Sequence, residues 1–170
     1  LFLLFSVAFP LLTQAQDTPA KPHLRLCIFG DIQMQVLEPV TPENTPKLLK
    51  KGTPLYYAKK TFELANKLGT DAYLITGDVA NFNEPGMYDL FRKLYDDSIR
   101  DLEQPPLFLP VMGNHDFWGT FWIKTSHDGL RKLPESRAER KEIFRKHLKL
   151  ENIHHHVVVN GYDIIGYSIE

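Results

Sequence analysis

Three short segments hold the residues best suited to chemistry: Gly30-Asp31-Ile32-Gln33, Gly77-Asp78-Val79-Ala80-Asn81 and Gly113-Asn114-His115-Asp116. Asp31, Asp78 and Asn114 offer hard oxygen donors, and the glycine before each lets the backbone turn sharply and approach a ligand closely. Two carboxylates crowded together repel each other and also repel a phosphate; a bound divalent cation relieves both repulsions. Two such cations can activate a bridging hydroxide and hold phosphate oxygens for in-line attack. Asp and Asn are also ordinary turn and cap residues, so each segment taken singly has a plain structural reading. Three together, each behind a glycine, point to metal. Gly-Asn-His-Asp is the sharpest, since a set four-residue string arises by chance in a chain this long on the order of once in a thousand.

The elements that must position these residues follow a regular rhythm. Leu24 to Phe29 reads as a buried strand ending at Gly30. Leu55, Ala58, Phe62, Ala65 and Leu68 recur at helical spacing, and Gly69 supplies a C-cap. A second strand, Ala72 to Thr76, ends at Gly77, and Met87, Leu90, Phe91, Leu94, Ser98 and Leu102 mark a second amphipathic helix. A third strand, Leu107 to Met112, ends at Gly113. This β-α-β-α-β order predicts an α/β fold with parallel strands and right-handed crossovers. Ligands of such open sheets bind at the carboxyl ends of the strands, where Asp31, Asp78 and Asn114 would meet. Pro39, Pro42, Pro46 and Pro54 predict a long loop after the first strand, and a loop there often lines a site.

Beyond the third segment, Ser136 with Glu139 forms a capping box. It opens a helix that should bury Ile143, Phe144 and Leu148. Val157 to Val159, Asn160-Gly161 and Tyr162 to Ile169 predict a β-hairpin, because Asn-Gly accepts the positive φ angles of a type I′ turn.

The three chemical segments resemble the first three motifs of the calcineurin-like metallophosphoesterase superfamily, over about Leu24 to Phe117. The resemblance implies the N-terminal half of a four-layer α/β/β/α sandwich, with a domain over 24–170, and a metal-dependent hydrolase of phosphomonoesters or phosphodiesters. It implies two divalent metal ions (Mn, Fe or Zn). Asp31 and the residue at Gln33 would hold the first metal, Asp78 would bridge both, and Asn114 would hold the second. His115 would face the phosphoester and protonate the leaving oxygen, and Asp116 would hydrogen-bond His115 and fix its orientation. The third motif ends in Asp116 rather than Glu, and the second lacks an Asp-Arg-Gly ending. Both features are unlike the protein Ser/Thr phosphatase branch.

Two departures bear on this. The superfamily usually has His where Gln33 stands, and an amide oxygen is a poorer donor to zinc or iron than imidazole. Later histidines, including a Gly-His-x-His motif, have no match after Asp116. Two further readings therefore stand beside the enzyme: a non-catalytic binding domain of the same fold, or an inactive fragment. His154-His155-His156 enter a strand, where consecutive residues alternate sides, so they read as strand-edge or surface residues. His147 and the His127-Asp128 pair read as structural, and His23 as exposed. Phe117, Trp118, Phe121 and Trp122 read as a local apolar cluster, or as an aromatic wall near the leaving group.

The remaining features bound the function. Apolar residues make up 43% and charged residues 24% of the 170 residues, as in soluble globular chains. A formal net charge of -1 provides no basic field to gather nucleic acid, and the Lys/Arg run from Arg137 to Lys149 is interleaved with Glu139 and Glu142, as on a solvated helix face. The apolar run Leu1 to Leu12, followed by Thr13-Gln14-Ala15, reads as a signal peptide over 1–15, with a linker over 16–23. It is shorter than a membrane span of roughly 20 residues, so a secreted or periplasmic protein without a stable membrane span is expected. The single cysteine, Cys27, lies in an apolar run and reads as a buried, inert thiol. No Gly-x-Ser-x-Gly elbow, His-Glu-x-x-His or P-loop is present.

Overall fold

A row of three parallel strands ends directly beneath the three glycine-led segments. The computed structural model describes residues 23–34, 40–81, 83–117, 122–125, 129–132 and 136–168, with 122–125 and 129–132 as backbone only. The expected signal segment and most of the linker lie outside the described residues, as do Trp118, Phe121, His127, Asp128 and the side chain of Trp122. Strands β1 (Leu26–Phe29), β2 (Ala72–Ile75) and β3 (Leu107–Pro110) pair in the order β1-β2-β3. Phe29 stands opposite Ile75, and Ile75 opposite Pro110. The crossovers thus return each new strand beside the last, as the alternation predicts.

Helices α1 (Thr45–Leu48) and α2 (Pro54–Lys67) connect β1 to β2, and α3 (Pro85–Ile99) connects β2 to β3. The loop expected over the proline-rich stretch is therefore interrupted by one helical turn, α1, which starts beside Pro46. Thr53 caps α2 by accepting the Tyr56 N–H, and Glu84 caps α3 by accepting the Met87 N–H at 2.9 Å. Proline follows each cap, where its missing N–H costs nothing. Leu55, Ala58, Phe62 and Ala65 of α2 and Met87, Leu90, Phe91 and Leu94 of α3 are buried, with Tyr88 and Tyr95 beside them. Leu68 and Leu102, expected on those apolar faces, are 62% and 38% exposed. Each lies past the last helical turn, where the chain leaves the face it was following.

Strand alternation separates two packing layers. Tyr73 and Ile75 face the helices, within the main core of Phe62, Phe91, Met87 and Phe144. Ala72 and Leu74 face the other way, toward Leu109, Val157, Val159 and Ile164. The latter three belong to the hairpin β6 (His155–Val159) and β7 (Tyr162–Gly166). Asn160 and Gly161 have φ of 51° and 78°, as the type I′ turn requires. Helix layer, parallel sheet and hairpin thus stack in the order expected for the first half of an α/β/β/α sandwich.

The segment after β3 is a single helical turn, α4 (Asn114–Phe117), which the sequence did not suggest. An antiparallel pair follows, β4 (Trp122–Thr125) with β5 (Gly129–Lys132), and it was likewise unforeseen. Helix α5 (Arg137–His147) opens with the predicted capping box: Ser136 Oγ accepts the Glu139 N–H and the Glu139 carboxylate accepts the Ser136 N–H. It buries Phe144, and Leu148 beyond its end, with Ile143 partly buried.

Candidate metal centre

The strand ends are sewn to one another by their backbones. The Asp31 N–H donates to Gly77 O at 3.0 Å, and the Gln33 N–H to Asp78 O at 2.8 Å. Beyond them the Met34 N–H donates to Val79 O, and the Asn81 N–H returns to Met34 O. Residues 31–34 therefore run alongside 77–81. The third segment closes on the second through glycine. A Cβ at Gly77 would lie 2.5 Å from the Gly113 nitrogen, and one at Gly113 would fall on Asp78 Oδ1. Close approach is thus the reason for both glycines, and Gly77 also carries φ of 97°.

Backbone strain collects in the same place. Among the described residues six non-glycine positions have positive φ, and four of them, Asp31, Gln33, Asp78 and Asn83, lie in or just beyond these strand ends. Such conformations are uncommon outside Gly, Asn and Asp, and they cluster where a site over-determines the backbone.

Asp31, Gln33 and Asn114 are exposed and Asp78 is half-buried. Asp31 Oδ1 accepts a hydrogen bond from Gln33 Nε2 at 2.7 Å, and Asp78 Oδ1 accepts the His115 N–H at 2.8 Å. The second oxygen of each carboxylate has no hydrogen-bond partner among the described residues. The candidate donors are thus two carboxylates, each with an oxygen that no described residue bonds, and the carboxamides of Gln33 and Asn114. Their chemistry fits a hard divalent cation better than a thiophilic one. Among the described residues no group of three His, Cys, Asp or Glu side chains gathers to hold a metal.

His115 and Asp116 point in different directions. His115 Nδ1 lies 2.6 Å from Asn81 Oδ1. A carboxamide oxygen can only accept, so Nδ1 is the donor in this contact. The hydrogen bond expected from His115 to Asp116 is not made. Successive residues of a helical turn stand about 100° apart, and α4 turns Asp116 into the core, where it is fully buried. Its carboxylate accepts the N–H groups of Gly113 at 3.0 Å, Ala80 at 3.1 Å and Val79 at 3.4 Å, and the Tyr88 hydroxyl at 2.9 Å. Burial pushes its pKa up to about 6, against the pull of the Gly113, Ala80 and Tyr88 hydrogen bonds. The neighbouring Asp78 carboxylate adds to the rise.

Three residues of this arrangement had no role in the sequence reading. Asn81 was visible as the last residue of the second segment, three after Asp78. Tyr88 sits next to Met87 on the buried face of α3, and nothing in its spacing marks its hydroxyl. Asn83 is 1% exposed, and its Nδ2 donates to Tyr88 OH, to Asp116 O and to Arg140 O.

The remaining candidates serve the fold. His155 Nε2 bonds Pro110 O at 2.6 Å, and burial lowers its pKa, so it is less exposed than a strand-edge reading suggests. His156 pairs with Asp163 at the surface, and His154 stacks on Tyr167 with centroids 4.4 Å apart. His147 bonds Asp89 across the α3–α5 contact. Cys27 is half-buried, and burial raises its pKa, as for an inert thiol. Phe117 packs on the main core, with the Arg137 guanidinium 6.0 Å from its ring centre and the Arg140 guanidinium on its carbonyl oxygen. That arrangement fits local packing. The loop after β1 and the first turns of α3 enclose a mainly apolar cleft of about 490 Å³, lined by Val40, Pro42, Pro46 and Leu90. No described helix is long and apolar enough to cross a membrane.

No curated protein gives a significant match to the chain. The family model described as calcineurin-like phosphoesterase matches residues 24–166, a span that holds all three strand-end segments and the hairpin.

Proposed function

Since the chain belongs to the calcineurin-like phosphoesterases, a family of metal-dependent phosphoester hydrolases, we propose that it acts on small phosphomonoesters or phosphodiesters through the strand-end cluster. The observation that carries this reading is the position of Asp78. Its carbonyl receives the Gln33 N–H and its carboxylate the His115 N–H, so it joins the first and third segments.

In this reading Asp31 and Gln33 would hold one divalent cation, Asp78 would be shared, and Asn114 would hold a second through its amide oxygen. Bound cations supply a nucleophile at neutral pH and offset the negative charge of the phosphoryl oxygens. The chain's own part is to hold its donors in place and to move one proton. Asn81 accepts from Nδ1 of His115 and so orients the ring, whose other nitrogen, Nε2, would pass the proton to the leaving oxygen. Asp116 supports the site from behind. The hard-oxygen donor set favours manganese over zinc.

Export to a secreted or periplasmic location is part of the proposal and rests on the apolar run Leu1 to Leu12 and the small-residue site at Ala15. The mature protein would then begin at Gln16, which N-terminal sequencing reads directly.

Gln33 favours a second reading, a binding domain with a weak first site, because its amide nitrogen already faces Asp31. One assay separates the two. The full-length protein is given p-nitrophenyl phosphate and bis(p-nitrophenyl) phosphate with manganese, zinc or iron. Turnover that needs the metal and stops with chelator supports the hydrolase. Metal binding with no turnover on either substrate supports the binding domain.

A further inference from the structure

Asp78 and Asn114 belong to different loops, and one buried carboxylate joins those loops. Asp116 accepts two N–H groups from just after Asp78, those of Val79 and Ala80, and one from just before Asn114, that of Gly113. Its fourth partner comes from outside both loops: the Tyr88 hydroxyl, from the first turn of α3, at 2.9 Å. Asn83 stands behind the pair and donates to Tyr88 OH at 3.1 Å and to the Asp116 carbonyl at 2.8 Å. Asn83 Oδ1 is buried with no partner among the described residues. Such atoms are uncommon in native proteins, and here the fold tolerates one to keep the amide nitrogen on Asp116 and Tyr88.

We propose that Tyr88 is a positioning residue, which acts through the Asp116 carboxylate to hold the loop of Asp78 against the turn that carries Asn114 and His115. The effect on catalysis rests on the functional reading above; the mechanical link does not. Four donors converge on Asp116, a full set for a buried carboxylate. Loss of the hydroxyl removes the only one that α3 supplies. The two loops then share a carboxylate that is less firmly anchored, and the distance between Asp78 and His115 loosens. Misplacement of about 1 Å is enough to cost on the order of 100-fold in rate.

The test is Tyr88→Phe, with Tyr95→Phe as a matched control. Both change the same atom on the same buried face of α3, but Tyr95 OH donates to Pro106 O, away from the site. The Tyr88 ring keeps its edge contact with Phe144, at 5.2 Å between centroids, so the variant retains its packing. The first readout is amide hydrogen exchange in metal-free protein. In Tyr88→Phe the N–H groups of Val79, Ala80 and Gly113 should exchange at least about tenfold faster, with Leu74 and Leu109 of the sheet unchanged. Tyr95→Phe should leave all three site amides at the parent rate. The second readout is kinetic. Tyr88→Phe should lower kcat by about 10- to 100-fold with KM within about twofold, and Tyr95→Phe should leave kcat at the parent value. Unchanged exchange at the three amides overturns the proposal, as does a kcat within twofold of the parent. If the parent protein itself shows no metal-dependent turnover, the functional reading falls and the exchange result alone decides the proposal.

Discussion

Nδ1 of His115 and Oδ1 of Asn81 lie 2.6 Å apart, across the gap between the second and third strand ends. That contact makes Nδ1 the donating ring nitrogen, because the amide oxygen accepts and cannot donate. A carboxylate in the same place would also favour the charged ring; a carboxamide orients it without adding charge. Asn81→Ala should therefore lower kcat by about 10- to 100-fold with little change in KM, less than the 10²–10⁴ that general acid catalysis contributes in full. Steady-state kinetics on an aryl phosphoester checks this. A kcat equal to the parent's would remove His115 as the proton donor, or Asn81 as its support.

Gly113 sits where any side chain would meet Asp78. A Cβ there falls on Asp78 Oδ1 and comes within 2.7 Å of its amide nitrogen. Gly113→Ala should cost about 1–3 kcal/mol of stability by overpacking. It should also push the Asp78 carboxylate aside and weaken manganese binding. Urea unfolding and titration calorimetry read the two effects separately.

The strand-helix rhythm was legible because each strand is a short apolar run closed by glycine, and each helix repeats its apolar residues at three and four. The hairpin was legible from Asn160-Gly161 for a local reason, the positive φ that pair accepts. The arrangement of the candidate site was legible only in part. Asp31, Asp78 and Asn114 follow from strand ends and topology. The contact of His115 with Asn81 did not follow, because Gly-Asn-His-Asp carries no sign that residues 114–117 form a helical turn. That turn sends Asp116 inward and leaves Asn81 beside the ring. Tyr88 was hidden in a different way: it belongs to the apolar face of α3, where an aromatic residue needs no further explanation. The β4–β5 pair was missed because its strands are charged and short, without the alternation that marks a half-buried strand.

His155 gives the fold a pH dependence of known sign. Burial, chiefly, holds its pKa below the ordinary value of 6.5, against the pull of its hydrogen bond to Pro110 O. As pH falls through 6.5 the unfolded chain takes up this proton and the folded chain does not. The unfolded state then binds more protons, so stability rises with pH across the window from the folded pKa to 6.5 and is lost as pH falls through it. His155→Gln, which can still donate to Pro110 O, should reduce the difference between urea midpoints measured at pH 7.5 and 5.5. An unchanged difference would show that the ring does not titrate below its free value.

The capping box on α5 should matter to stability alone. Ser136→Ala removes the acceptor for the Glu139 N–H, at 3.1 Å, and should cost about 1 kcal/mol. Helix α5 meets α4 through Arg137 and Arg140 on Phe117, and Phe144 is fully buried against Tyr88 of α3, so the helix stays docked without its cap. Turnover under native conditions should stay at the parent rate, and the urea midpoint alone should move.

The central claim is that Asp78 is the carboxylate shared by the metal site. Manganese titration calorimetry combined with turnover of an aryl phosphoester, on the full-length protein and on Asp78→Ala, tests it most directly. The account predicts manganese binding and manganese-dependent turnover in the parent. In Asp78→Ala it predicts loss of tight binding and a fall in kcat/KM of about 1,000-fold or more, the scale set by losing metal stabilisation of the transition state. Binding and turnover in Asp78→Ala equal to the parent's would contradict it.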